Sequence, residues 1–127
     1  MDIHTTLPPD SLLALVQNQL EDDKAGDIVV IPLSDKSSFA DYMVIASGQS
    51  SRQVGAMTDH LVEMFRKSGL RGAKVEGRSR GDWVLVDAGD VIIHLFRPEV
   101  REFYKLEKLW SHDLPETAEA PTAAYTA

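Results

Sequence analysis

Two short β-branched runs separated by a tight-turn signal constrain this chain more than any other feature. Trp83-Val84-Leu85-Val86-Asp87 and Val91-Ile92-Ile93-His94-Leu95-Phe96 flank Ala88-Gly89-Asp90. Each run is too short for a stable helix and rich in strand-favouring residues, so the pair reads as an antiparallel β-hairpin turning across Ala88-Gly89. Setting Asp87 opposite Asp90 puts Val86 opposite Val91, Leu85 opposite Ile92, Val84 opposite Ile93 and Trp83 opposite His94. Side chains alternate along a strand, so Val84, Val86, Val91, Ile93 and Leu95 share an aliphatic face suited to packing under helices. The other face carries Trp83, Leu85, Asp87, Asp90, Ile92, His94 and Phe96, large apolar groups mixed with ionisable ones. A slip of one residue in the pairing would exchange the two faces.

Upstream, Leu12, Val16 and Leu20 recur every fourth residue over positions 11–24 and mark one helical stripe, with Asp10 placed to cap its start and Gly26 to end it. Ile28-Val29-Val30-Ile31 is a strand ended by Pro32, and positions 33–40 are loop-like. Tyr42-Met43-Val44-Ile45-Ala46 is a second strand, and Ser47-Gly48-Gln49-Ser50-Ser51 offers a hydroxyl cap for a long helix. That helix turns Val54, Met57, Leu61, Met64 and Phe65 inward and has Gly69 at its C-cap position. A third strand falls over positions 73–76. After the hairpin, Pro98 opens a final helix with Val100, Phe103 and Tyr104 inward and Leu106, Leu109 and Trp110 continuing its apolar contacts. Positions 1–9 read as a flexible lead and 114–127 as a disordered Pro/Glu/Thr/Ala tail, leaving one domain over 10–113. The strand–helix–strand step over 42–76 predicts a right-handed parallel crossover. Together these elements predict an α/β fold: a mixed, mostly five-stranded sheet with helices mainly on one face and the other face open.

The chain has 127 residues, 43% of them hydrophobic and 26% charged, enough for one domain with a real core. No apolar run approaches the roughly 20 residues that cross a bilayer. Positions 1–9 lack the basic start and apolar stretch of a secretory signal. Cysteine is absent, which excludes disulfides and thiolate metal sites and is compatible with a cytoplasmic protein. Twenty acidic against 13 basic residues give a net charge of −7. Duplex-DNA binders are usually basic, because counterion release supplies much of their affinity; an acidic chain is better matched to a basic protein partner. Arg66, Lys67, Arg71, Lys74, Arg78 and Arg80 form a local exception, opposed in sequence by Glu76 alone. They read either as a solvated helix end and loop or as a phosphate contact.

Few residues invite chemistry. His94 stands alone in its strand, and His4, His60 and His112 have no metal-ligand spacing. Gly48-Gln49-Ser50-Ser51 occupies the position of a phosphate cradle but lacks both the GxxxxGK[ST] and GxGxxG patterns. It is similar to the glycine-serine start of nucleotidyltransferases, which also need two carboxylates for divalent metal ions. Asp87-Ala88-Gly89-Asp90 does not have the Asp-x-Asp spacing that points both carboxylates to one face. The expectation is therefore no catalytic residue, no metal and no cofactor. Trp83 is left with two readings, a binding hot spot or a core tryptophan under the first helix.

An ordered set of segments strongly resembles the ribosomal silencing factor family, related to plant iojap. They are Ala40-Asp41-Tyr42-Met43-Val44-Ile45-Ala46-Ser47-Gly48, Glu76-Gly77, Gly81-Asp82-Trp83-Val84-Leu85-Val86-Asp87, Gly89-Asp90-Val91-Ile92-Ile93-His94-Leu95-Phe96, and Arg101-Glu102-Phe103-Tyr104-Lys105-Leu106-Glu107-Lys108-Leu109-Trp110. The resemblance implies a nucleotidyltransferase-like fold without the catalytic residues. It also implies a translational repressor that binds the large ribosomal subunit through its fourteenth protein, a basic one at the subunit interface, and so blocks joining of the small subunit. The implied contact centres on Trp83, Leu85, Ile92, His94 and Phe96, with Glu76, Asp82 and Asp87 as its acidic residues. Homodimers in isolation, and a minor contact of the basic stretch with ribosomal RNA, complete the expectation. A working nucleotidyltransferase and a generic dimeric adaptor are the alternatives.

Overall fold

The computed structural model describes residues 3–33 and 40–104, the last three by backbone alone. Its elements run α1 (Pro9–Asp22), β1 (Gly26–Pro32), β2 (Tyr42–Ser47), α2 (Ser51–Lys67), β3 (Lys74–Glu76), β4 (Trp83–Asp87), β5 (Val91–Phe96) and α3 (Pro98–Tyr104). The expected order of helices and strands is the observed one. The strands form one mixed sheet in the order β1-β2-β5-β4-β3, with β2 and β5 parallel and every other pair antiparallel. The crossover through α2 does join strands that run the same way, but β2 and β3 are not neighbours. The β4–β5 hairpin lies between them, and β5 pairs with β2. Apolar content explains the choice: β5 is buried at every position, whereas three-residue β3 exposes Lys74 and Glu76 and belongs at an edge.

Leu12, Val16 and Leu20 of α1 and Val54, Met57, Leu61 and Phe65 of α2 pack on Val44, Ala46, Val84, Val86, Ile93 and Leu95 of the sheet. Each of these side chains larger than alanine contributes about 1.5–3 kcal/mol by leaving water. On the opposite face, Val100 of α3 packs with Ile31, Leu33, Met43, Ile45, Ile92 and Phe96. The Arg101 guanidinium donates to Ser47 Oγ at 2.8 Å, fixing α3 over the end of β2. The helix therefore covers the β2–β5 half of the face expected to stay open, because Val100 finds apolar side chains there.

The hairpin register differs from the expected one. Asp87 pairs with Ile92, Val86 with Ile93, Leu85 with His94, Val84 with Leu95 and Trp83 with Phe96, each two residues further along β5. The turn is centred one residue later, on Gly89-Asp90 instead of Ala88-Gly89. Asp87 Oδ1 accepts from the Gly89 N–H at 2.9 Å, the Ala88 N–H donates to the Val91 carbonyl at 3.0 Å, and Gly89 adopts φ +87°. Because the displacement is even, the two expected faces survive it.

Two expected caps on α1 are also corrected. Pro8 holds the N-cap position without a side-chain bond, and Asp10 lies inside the first turn, accepting a hydrogen bond from the Tyr42 hydroxyl. The left-handed residue beyond α1 is Lys24 (φ +59°), while Gly26 begins β1. Helix α2 keeps its expected caps, Ser50 at the start and Gly69 (φ +88°) past the end. Ahead of α1, in the lead expected to be flexible, His4 and Arg71 exchange two backbone hydrogen bonds, and Ile3 and Leu7 pack on the helical core. Most of the expected 33–40 loop, the contacts expected of Phe103, Tyr104, Leu106, Leu109 and Trp110, and the tail after Leu114 lie outside the described residues.

Gly77 is the least replaceable turn residue. Its φ is +84°, and a Cβ there would stand 2.3 Å from the Trp83 carbonyl oxygen. Gly69 shares the left-handed conformation but a Cβ there would meet nothing within 4 Å. Gly69→Ala should thus cost only the conformational penalty of about 1–2 kcal/mol. Gly77→Ala adds a backbone clash and should cost clearly more than about 2 kcal/mol in chemical denaturation. Equal losses in the two variants would contradict the assigned packing.

Candidate protein-docking face

The half of the second face that α3 leaves uncovered lies over β4 and β3. In the β3–β4 ladder Lys74 pairs with Asp87 and Glu76 with Leu85, so these four side chains share the face of Trp83. Lys74 and Glu76 are exposed, and Trp83, Leu85 and Asp87 are half-buried. The structure thus gathers Trp83, Leu85, Glu76 and Asp87 from the expected contact set into one accessible patch. Ile92, His94 and Phe96 share the face but are 8%, 0% and 0% exposed. Their strand is central and α3 folds back over it, so within this chain they support the patch from beneath. Alternation alone does not say which strand will be central.

Asp82 is already engaged. Its carboxylate meets Arg97 Nη2 at 2.9 Å, Arg97 Nη1 meets Glu99 at 2.7 Å, and the Arg97 N–H donates to the Asp82 carbonyl. Nothing in the local sequence around Arg97, next to Pro98, signals this pairing across the fold. Asp87 in turn braces the hairpin turn with one of its oxygens.

Trp83 has an arrangement between its two expected readings. Its indole N–H donates to His94 Nδ1 at 2.9 Å, and its ring lies 4.6 Å from that of Phe96 at 37°. The His94 and Phe96 rings are near parallel, 6.0 Å apart. Indole nitrogen can only donate, so Nδ1 must accept and the imidazole proton resides on Nε2. Burial pushes the His94 pKa down to about 3, because an imidazolium there would lose its hydration. A neutral, buried histidine therefore holds one edge of the tryptophan while part of the ring stays open to solvent.

The loop from β3 to β4 locks this end of the patch. Gly77 abuts the Trp83 carbonyl, and Gly81 (φ +68°) lies so close to Ser51 that a Cβ would fall 2.9 Å from the serine Cβ. Arg78 lies over Gly55 of α2 and donates twice to Asp59, at 3.0 and 2.8 Å. Arg66 is likewise paired with Glu63. Carboxylates of α2 thus offset part of a basic stretch that Glu76 alone opposes in sequence.

The Ser47–Ser51 loop is occupied by its own chain. Ser50 Oγ accepts from the Gln53 N–H at 3.1 Å, and Gln53 Oε1 accepts from the Gln49 N–H at 2.7 Å, so these donors are not directed at a phosphate. Among the described residues no group of three or more His, Asp or Glu could hold a metal ion.

The depressed His94 pKa sets a pH dependence. Between about pH 6.5 and 3 the unfolded chain takes up a proton at His94 that the folded chain refuses. Stability should be unaffected by this group above pH 6.5 and fall by about 1.4 kcal/mol per pH unit below it. The difference in unfolding free energy between wild type and His94→Asn should therefore change with that slope on acidification. A pH-independent difference would contradict a buried neutral imidazole.

The family model described as ribosomal silencing factor during starvation matches residues 6–126. A ribosomal silencing factor of Zymomonas mobilis is 57% identical over 106 residues, 84% of this chain and 80% of that one. The mouse protein named mitochondrial assembly of ribosomal large subunit protein 1 is 43% identical over 95 residues, 72% of this chain and 42% of that one. A crystal structure of a Chromobacterium violaceum protein superposes with a TM-score of 0.80 at 35% identity, covering 88% of this chain and 93% of that one. The chain belongs to the ribosomal silencing factor family.

Proposed function

We propose that this chain is a non-enzymatic cytoplasmic repressor of translation that docks on the large ribosomal subunit and sterically blocks the small one. The names of its relatives, a ribosomal silencing factor and a large-subunit assembly protein, support the ribosomal setting. The observation that carries the docking reading is the open β3–β4 half of the sheet. It combines a held, partly exposed tryptophan and Leu85 with Glu76 and Asp87 on an acidic chain of net charge −7. Such a patch suits a basic partner, and the fourteenth large-subunit protein at the subunit interface is the one proposed. Opposite potentials speed the encounter, and the apolar centre slows dissociation. Blocking requires no reaction, only an interface near about 800 Å² per partner and a body large enough to clash. In isolation the chain is proposed to form homodimers, and the basic stretch to make a minor contact with ribosomal RNA.

Trp83→Ala should weaken co-sedimentation with purified large subunits by at least about 2 kcal/mol, roughly thirtyfold, while the circular dichroism of the folded chain is retained. Wild-type co-sedimentation by a folded Trp83→Ala protein would remove Trp83 from the contact.

A further inference from the structure

A partner seated on the open half of the sheet must cover Lys74. This residue begins β3, stands opposite Asp87 in the ladder and is two residues from Glu76, so all three share the face of Trp83 and Leu85. Lys74 is exposed, and neither neighbouring carboxylate neutralises it. Asp87 turns one oxygen back to the Gly89 N–H at 2.9 Å, and Lys74 makes no ion pair with any described residue. In the free protein water solvates the ammonium, and an exposed ion pair would add little. Under a partner the balance changes, because an ammonium that loses its hydration without gaining an acceptor is strongly unfavourable. A basic partner sharpens the difficulty, since its own cations repel Lys74. The half-face can therefore dock only where the partner sets an acceptor against this residue.

We propose that Lys74 sets the orientation of the docked protein by meeting a carboxylate on the otherwise basic partner protein. This rests on the docking reading above and makes it more specific. By sequence Lys74 belongs to the basic stretch, but its place beside Leu85 and Asp87 on the Trp83 face turns it toward the protein surface rather than toward RNA. Strand geometry sets Lys74 and Glu76 about 7 Å apart along β3. The partner must then offer a carboxylate to the first and a lysine or arginine to the second at that spacing. A partner rotated to exchange the two would bring like charges together at both positions and be rejected. Trp83 and Leu85 supply attraction that is indifferent to this rotation, and the two charges choose it.

The test compares wild type, K74M and K74Q on the purified basic interface protein without RNA and on purified large subunits. Losing one cation takes the net charge from −7 to −8, so long-range attraction to a basic partner favours both variants. An ammonium covered without an acceptor would also be better replaced by methionine, which has no charge to dehydrate. A paired Lys74 gives the opposite sign: each variant strands the partner's carboxylate and should bind about tenfold more weakly on both targets. Thermal unfolding midpoints should match that of wild type, because Lys74 is exposed and unpaired in the free chain, and K74Q keeps the edge strand polar should K74M self-associate. Binding by the folded variants equal to or tighter than wild type would overturn the proposal. So would a loss on large subunits that is absent on the RNA-free protein, which would give Lys74 to an RNA phosphate. Failure of wild type to bind either target, or full binding by Trp83→Ala, would instead strike the docking reading itself.

Discussion

A strand buried along its whole length can carry a histidine only if the imidazole is neutral and its ring nitrogens are satisfied. β5 is such a strand, with β2 and β4 beside it, helices on one face and α3 on the other. A polar group buried without a partner would cost on the order of 1–3 kcal/mol, and a charged one far more. The indole N–H of Trp83 supplies a partner for Nδ1. The observed register makes this reach possible, since Trp83 stands opposite Phe96 and diagonal to His94, and its ring can touch both. Stability of the central strand and orientation of the surface tryptophan are thus one interaction seen from two sides.

The accessible patch follows from how the second face is shared out. α3 takes the β2–β5 half, where Val100 and Arg101 find apolar side chains and Ser47. The β4–β3 half retains a half-buried apolar centre edged by Lys74, Glu76 and Asp87. The short charged edge strand also discourages pairing with other sheets, so the patch presents side chains rather than a bare ladder. At its border the loop held by Gly77, Gly81 and Arg78 ties the hairpin to the start of α2.

The element order and the two faces of the hairpin were legible in residue patterns, because alternation and helical spacing are local properties. Register was not, since placing the turn at Gly89-Asp90 involves the Asp87 side chain folding back on Gly89, which Ala-Gly does not announce. Nor was the neighbour of β2: a parallel partner is chosen by burial across the whole sheet. The candidate contact set was half legible for the same reason. Trp83, Leu85, Glu76 and Asp87 emerged on the accessible half, whereas Ile92, His94 and Phe96 went beneath it once β5 became central. The pairing of Asp82 with Arg97, and of Arg78 with Asp59, joins residues distant in sequence and had no local signature.

The central claim is that one half of one sheet face makes the contact. Hydrogen–deuterium exchange of the chain alone and bound to large ribosomal subunits tests it most directly. Protection should concentrate in residues 74–87, with the outer surfaces of α1 and β1 unchanged. Protection confined to α1 or β1, with 74–87 exchanging as in the free chain, would contradict it.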